Sequence, residues 1–154
     1  MSTQKLQVGR ALSVIPSNAA DIPFPAAITS GAATGGSATT LVNAGATFIS
    51  SGVNVGDIIY NTTALTAALV TGVNSETTLL TSGGAFAAGN NYVVYQGNNH
   101  QGCVLYVGTG GTLDIVTTSR DQVSLLNVSS GQFIPIQVMR VLPSSSAADI
   151  LALW

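Results

Sequence analysis

The sequence holds very little charge. Lys and Arg number 4 and Asp and Glu number 6, so 10 of 154 residues, or 6%, are charged, and the formal net charge is −2. An average soluble protein carries about 25% charged residues. The four cations, Lys5, Arg10, Arg120 and Arg140, are scattered along the chain. Tracking a phosphate backbone requires clustered Lys and Arg, so no nucleic-acid partner is expected. A single cysteine, Cys103, allows no intrachain disulfide. A membrane-spanning helix needs about 20 mostly apolar residues, and no window supplies them. The richest stretch, Phe133 to Leu142, is short and contains Gln137 and Arg140. Met1 to Gln7 lacks the apolar core of a signal peptide, which predicts a protein made and kept in a cytosol.

Apolar and hydroxyl residues take the place of charge. The chain has 46% hydrophobic residues, 17 Gly, 19 Ala, 16 Ser and 17 Thr. Intrinsic disorder goes with low hydrophobicity and high net charge, so an ordered domain is expected. Few exposed charges also mean little electrostatic resistance to association. Much of the surface is therefore expected to be covered by other subunits, as in an assembly component.

Good helix formers are scarce, while Val, Thr, Ile and Gly dominate. Short β-type runs recur between Gly, Asn and Ser turns, which predicts an all-β sandwich or barrel. Strands are expected at 5–8, 11–15, 27–30, 39–42, 57–61, 67–73, 77–81, 92–96, 103–107, 112–117, 122–128, 133–142 and 149–154. That number exceeds one small sheet and predicts two β-layers or two subdomains. One helical turn is expected at 46–51, with Phe48 and Ile49 plugging the end of a small barrel. Gly108 to Gly111 reads as a tight hairpin turn.

Composition shifts twice along the chain. Residues 26–96 contain no Lys, Arg, Pro, His or Met. Pro16, Pro23 and Pro25 precede this segment, and Gly97-Asn-Asn-His-Gln-Gly102 follows it. Turn-rich stretches of this kind mark boundaries. The reading is a jelly-roll-like or β-sandwich host domain of residues 1–25 plus 103–154. It carries an inserted small β-barrel module at 26–96, with 97–102 as linker.

Enzyme chemistry is poorly supplied. His100 and Cys103 stand three apart, but Cys103 opens an apolar run and reads as a buried structural residue. Two N or S donors fall short of a zinc site. The six carboxylates, Asp21, Asp57, Glu76, Asp114, Asp121 and Asp149, form no recognisable catalytic pair. No catalytic, metal or cofactor site is predicted. Arg120-Asp121 reads as a solvated turn, and Arg140 with Asp149 as an ion pair between the final strands.

The last two strands are apolar on both faces. Phe133, Pro135, Gln137, Met139 and Val141 alternate with Ile134, Ile136, Val138, Arg140 and Leu142. Ile150, Ala152 and Trp154 alternate with Leu151 and Leu153. A strand apolar on both faces is expected to be covered on both. This makes Phe133, Ile134, Ile136, Met139, Arg140, Ile150, Leu151, Leu153 and Trp154 the candidate interface residues.

The segments 102–118, 121–128, 131–142 and 148–154 resemble a small β-domain of tailed-bacteriophage structural proteins, of the spike-base and head-decoration type. Ala11 to Asn18 and Ile22 to Pro25 look like the start of the same proteins. Gly52 to Thr63, with Val73 to Leu79, is similar to a β-insert of phage virion proteins. The resemblance brings no catalytic residues. It implies a virion part, made in the bacterial cytoplasm and carried on the capsid surface. Such a decoration or cement protein would bind the major capsid protein or other virion proteins. A homo-oligomer is expected, a trimer where the shell offers threefold axes. The alternative is the base or adaptor of a head or tail fibre or spike. In that case the insert would touch host glycans, with Tyr60, Tyr92 and Tyr95 as stacking residues.

Overall fold

The structure, a computed structural model, describes residues 8–97 and 102–154. Two antiparallel sheets make an all-β fold. The strands are β1 (Ala11–Ser13), β2 (Ala27–Ala32), β3 (Gly35–Ser37), β4 (Thr40–Val42), β5 (Ile58–Asn61), β6 (Thr66–Ser75), β7 (Thr78–Thr81), β8 (Asn91–Tyr95), β9 (Cys103–Thr109), β10 (Gly111–Thr117), β11 (Gln122–Val128), β12 (Gln132–Val141) and β13 (Ala148–Leu153). The strand expected at 5–8 lies almost wholly outside the described residues, and Val8 itself is not in a strand.

Six strands pair in the order β1-β13-β9-β12-β10-β11, and seven in the order β2-β8-β5-β6-β7-β4-β3. The first sheet draws on residues 11–13 and 103–153, the second on residues 27–95. The second order ends at β2 and β3, and among the described residues no ladder between those two closes it into a barrel. Residues 98–101 of the expected linker lie outside the described residues.

Gly108 to Gly111 is not a hairpin. Both β9 and β10 are antiparallel to β12, so they run in the same direction and do not pair. Strand β12 lies between them, its first half against β9 and its end against β10. Gly110 joins β9 to β10 where the chain passes close to the backbone of 128–130, an approach that only glycine permits. A Cβ there would sit 2.4 Å from the Val128 carbonyl oxygen.

Period-two alternation turns one face of the first sheet inward. Leu105, Val107, Leu113, Ile115, Val138, Val141 and Ile150 form its core. Leu41, Phe48, Ile59, Val70, Leu79, Tyr92 and Val94 fill the second sheet. A third cluster joins the two, with Ile15 and Ala20 packed on Ile58, Tyr60 and Tyr95. This explains why all four residues of β5 are buried. Ile59 serves one core, and Ile58 and Tyr60 serve the other.

The helical turn at 46–51 is a single turn, closed by Ser51 N–H donating to the Thr47 carbonyl at 2.7 Å. Phe48 is buried as expected, but Ile49 points outward and is 55% exposed. A turn of about 100° per residue cannot bury two adjacent side chains in one direction.

Candidate interaction surface

Strand β9 alternates strictly. Cys103, Leu105 and Val107 point into the core, and Val104 and Tyr106 point away from it. The ladders place Phe133 of β12 opposite Tyr106 on one side, and Leu151 of β13 opposite it on the other. Side chains directly opposite in a ladder stand about 5 Å apart. Phe133, Tyr106 and Leu151 therefore form an unbroken apolar row across three strands on the outer face of the first sheet. The Phe133 and Tyr106 rings meet edge to face, with centroids 5.4 Å apart. Phe133 is 56% and Leu151 36% exposed, and Pro135 beside them is exposed as well.

The other interface candidates lie elsewhere. Ile134, Met139, Ile150 and Leu153 are buried within the chain, and Ile136 packs against the first core. Trp154 is half-buried, edge to face with Phe24 at 5.7 Å, and its backbone is tied to Gly9 and Arg10. In the single chain, the outward face of β12 is open at Phe133, Pro135 and Gln137, whereas Met139 is covered. Tyr106 belongs to the row but was not among the sequence candidates. Its alternation with Cys103, Leu105 and Val107 is the signal that marks it.

Arg140 does not pair with Asp149. Strand β9 separates β12 from β13, so the two side chains are not on neighbouring strands. Arg140 instead grips Asp21 through Nη2 and Nε, at 2.7 and 2.9 Å. It also donates to the Asn18 carbonyl at 2.8 Å. Nor is Arg120 merely solvated, since its Nη1 reaches the same Asp21 at 2.9 Å. These contacts tie the segment 17–22 to β12, as do the backbone bonds from Ser17 to Val141 and from Ile22 to Met139.

The remaining charges are also engaged within the chain. Arg10 stacks over Phe24 and donates to the Pro25 carbonyl. Asp57 accepts from the Asn54 and Gly97 N–H groups and closes a turn. Glu76 accepts from the Ser50 hydroxyl and N–H, which hold its carboxyl below the ordinary range. Asp114 accepts from the Ser124 and Ser144 hydroxyls, with the same consequence. Asp149 accepts from the Thr109 hydroxyl at 2.7 Å. Among the described charged residues, only Asp121 has no partner for its side chain.

Cys103 is buried and its thiol faces the Val138 carbonyl. Burial pushes its pKa up to about 12, so it stays a protonated thiol near neutrality. His100, the other half of the dyad weighed from sequence, lies outside the described residues. Tyr60, Tyr92 and Tyr95 are core residues, 2%, 1% and 9% exposed. Their rings are covered, so they cannot serve as sugar-stacking platforms. Burial raises the pKa of all three. Among the described residues, no three His, Cys, Asp or Glu side chains converge as a metal site would require.

No protein-family model matches the chain, and no curated protein or solved structure matches it.

Proposed function

We propose that the chain is a non-enzymatic structural component of a tailed-bacteriophage particle. It binds the assembled capsid as a decoration or cement protein. Its partners are the major capsid protein or other virion proteins, together with copies of itself. One observation carries this reading: an exposed, charge-free row of Phe133, Tyr106 and Leu151 on a sheet whose few charges are engaged internally. Such a face has little to offer a polar substrate and much to gain from burial, about 25 cal/mol per Å² of apolar surface removed from water. A cement protein works by this route, adding modest interface free energy at many repeated sites on the shell. The resemblance of 102–118, 131–142 and 148–154 to phage structural domains points the same way.

The copy number in purified particles tests this reading. Hundreds of copies are expected for capsid decoration. A dozen copies or fewer would assign the chain to a fibre or spike base, and its absence from particles would overturn the reading.

A further inference from the structure

Strand β11 is one end of the first sheet, and its outer edge has no strand paired to it among the described residues. In an antiparallel ladder, opposed residues alternate between pairs that exchange both backbone bonds and pairs whose N–H and C=O groups point away from each other. Asp114 lies opposite Ser124. The Asp114 carbonyl accepts from Leu142 N–H at 2.9 Å, and its N–H donates to the Ser145 hydroxyl at 2.9 Å. Both bonds lie on the side of β10 away from β11. The Asp114–Ser124 pair is therefore of the second kind, and Ser124 aims its own N–H and C=O at the open edge. Gln122, two residues along and opposite Val116, does the same. Among the described residues no strand lies beyond this edge.

Natural sheets guard free edges with Lys, Pro or inward charges. Gln122-Val-Ser-Leu-Leu-Asn-Val128 has no proline and no charge. Two carboxylates lie beside it: Asp114 is held by Ser124 and Ser144, and Asp121 stands in the turn just before the strand.

We infer that this edge is the interface with a second copy of the chain, pairing β11 antiparallel to β11 about a twofold axis at Ser124. The segment fits itself in that register. Val123 falls opposite Leu125 of the second copy, apolar against apolar, on the face that continues the core. Leu126, 70% exposed, falls over the methylenes of Gln122. With no charge in the segment, no like charges oppose each other across the axis. The contact is isologous and closes as a dimer, in place of the threefold assembly expected from the sequence. It is independent of the capsid reading. A chain that binds particles as a monomer overturns this inference alone, and a dimer indifferent to particles overturns only the other.

The test is sedimentation of the full chain over a wide concentration range, with amide hydrogen exchange at Gln122 and Ser124. The expected result is a dimer in which both amides are protected. Ser124→Pro removes the edge N–H without removing a ladder bond inside the chain. It should raise the dimer dissociation constant about tenfold or more, while Ser124→Ala leaves the dimer in place. A monomer at every concentration, a trimer, or a dimer whose Gln122 and Ser124 amides exchange as a free edge would overturn the inference. An undiminished Ser124→Pro dimer would do the same. The exchange measurement on the natural chain decides the matter even if Ser124→Pro does not fold.

Discussion

Arg140 holds Asp21 across 119 residues of chain, with Nη2 2.7 Å from Oδ1. Arg120 approaches the same carboxylate from the β10–β11 turn. One aspartate thus pins the proline-rich segment 16–25 to two separate parts of the first sheet.

Removing that carboxylate should be felt. Asp21→Asn leaves the largely buried Arg140 guanidinium without its anion. Charged hydrogen bonds of this kind contribute about 1.5–3 kcal/mol. Urea denaturation should show a loss of that order for Asp21→Asn. Arg120→Ala should cost less than about 1 kcal/mol because Arg120 is mostly exposed. Equal stability of Asp21→Asn and the natural chain would contradict this account of the segment.

The first sheet depends on the close backbone approach at Gly110. Gly110→Ala puts a methyl into the Val128 carbonyl, and steric overfilling of this type costs about 1–3 kcal/mol. Thermal unfolding should show the loss, with β9, β10 and β11 protected less against hydrogen exchange than β5 or β8. An unchanged midpoint would show that the backbone at 128–130 has room to give way.

Acid stability follows from two carboxylates. Asp114 and Glu76 have lowered pKa values, each chiefly through serine hydrogen bonds. The folded state therefore holds their protons less tightly than the unfolded state. The stabilisation is complete above the unfolded pKa values of 3.8 and 4.5, and is lost as pH falls through the lower folded values. Ser124→Ala combined with Ser144→Ala should flatten the decline in melting temperature below that range. An unchanged slope would contradict the assignment.

Cys103 shifts in the opposite direction. Its raised pKa means that the folded state retains a proton which the unfolded chain gives up near 9. Stability is present below pH 9 and declines between there and about 12. A thiol reagent should leave the native protein unlabelled and label it promptly in denaturant. Rapid native labelling would place Cys103 outside the core.

Strand positions were legible in the sequence because alternation and turn residues mark them directly. Strand β3 was not, since Gly35-Gly-Ser37 has almost no side chain to alternate. It pairs because Gly36 lets the backbone approach Thr40, where a Cβ would sit 2.6 Å from the carbonyl oxygen. Strand order was not legible either. The Arg140–Asp149 pairing and the Gly108–Gly111 hairpin both assumed that neighbours in sequence are neighbours in the sheet. The surface row was half legible. Phe133 and Leu151 stood out as apolar residues at strand positions, but only the ladders show that Tyr106 joins them. The buried tyrosines carry a different lesson, since an aromatic in a short strand packs before it binds.

The central claim is that the outer face of the first sheet holds the chain to a larger assembly. The direct measurement is co-sedimentation of the chain with purified phage particles that lack it, comparing the natural protein with Phe133→Ser, Leu151→Ser and the double variant. Both sites are at the surface, so each single change should cost little stability, within about 1 kcal/mol. The account predicts that the natural protein pellets with the particles and that the folded double variant stays in the supernatant. A folded double variant that pellets as well as the natural protein, or a natural protein that never pellets, would contradict it.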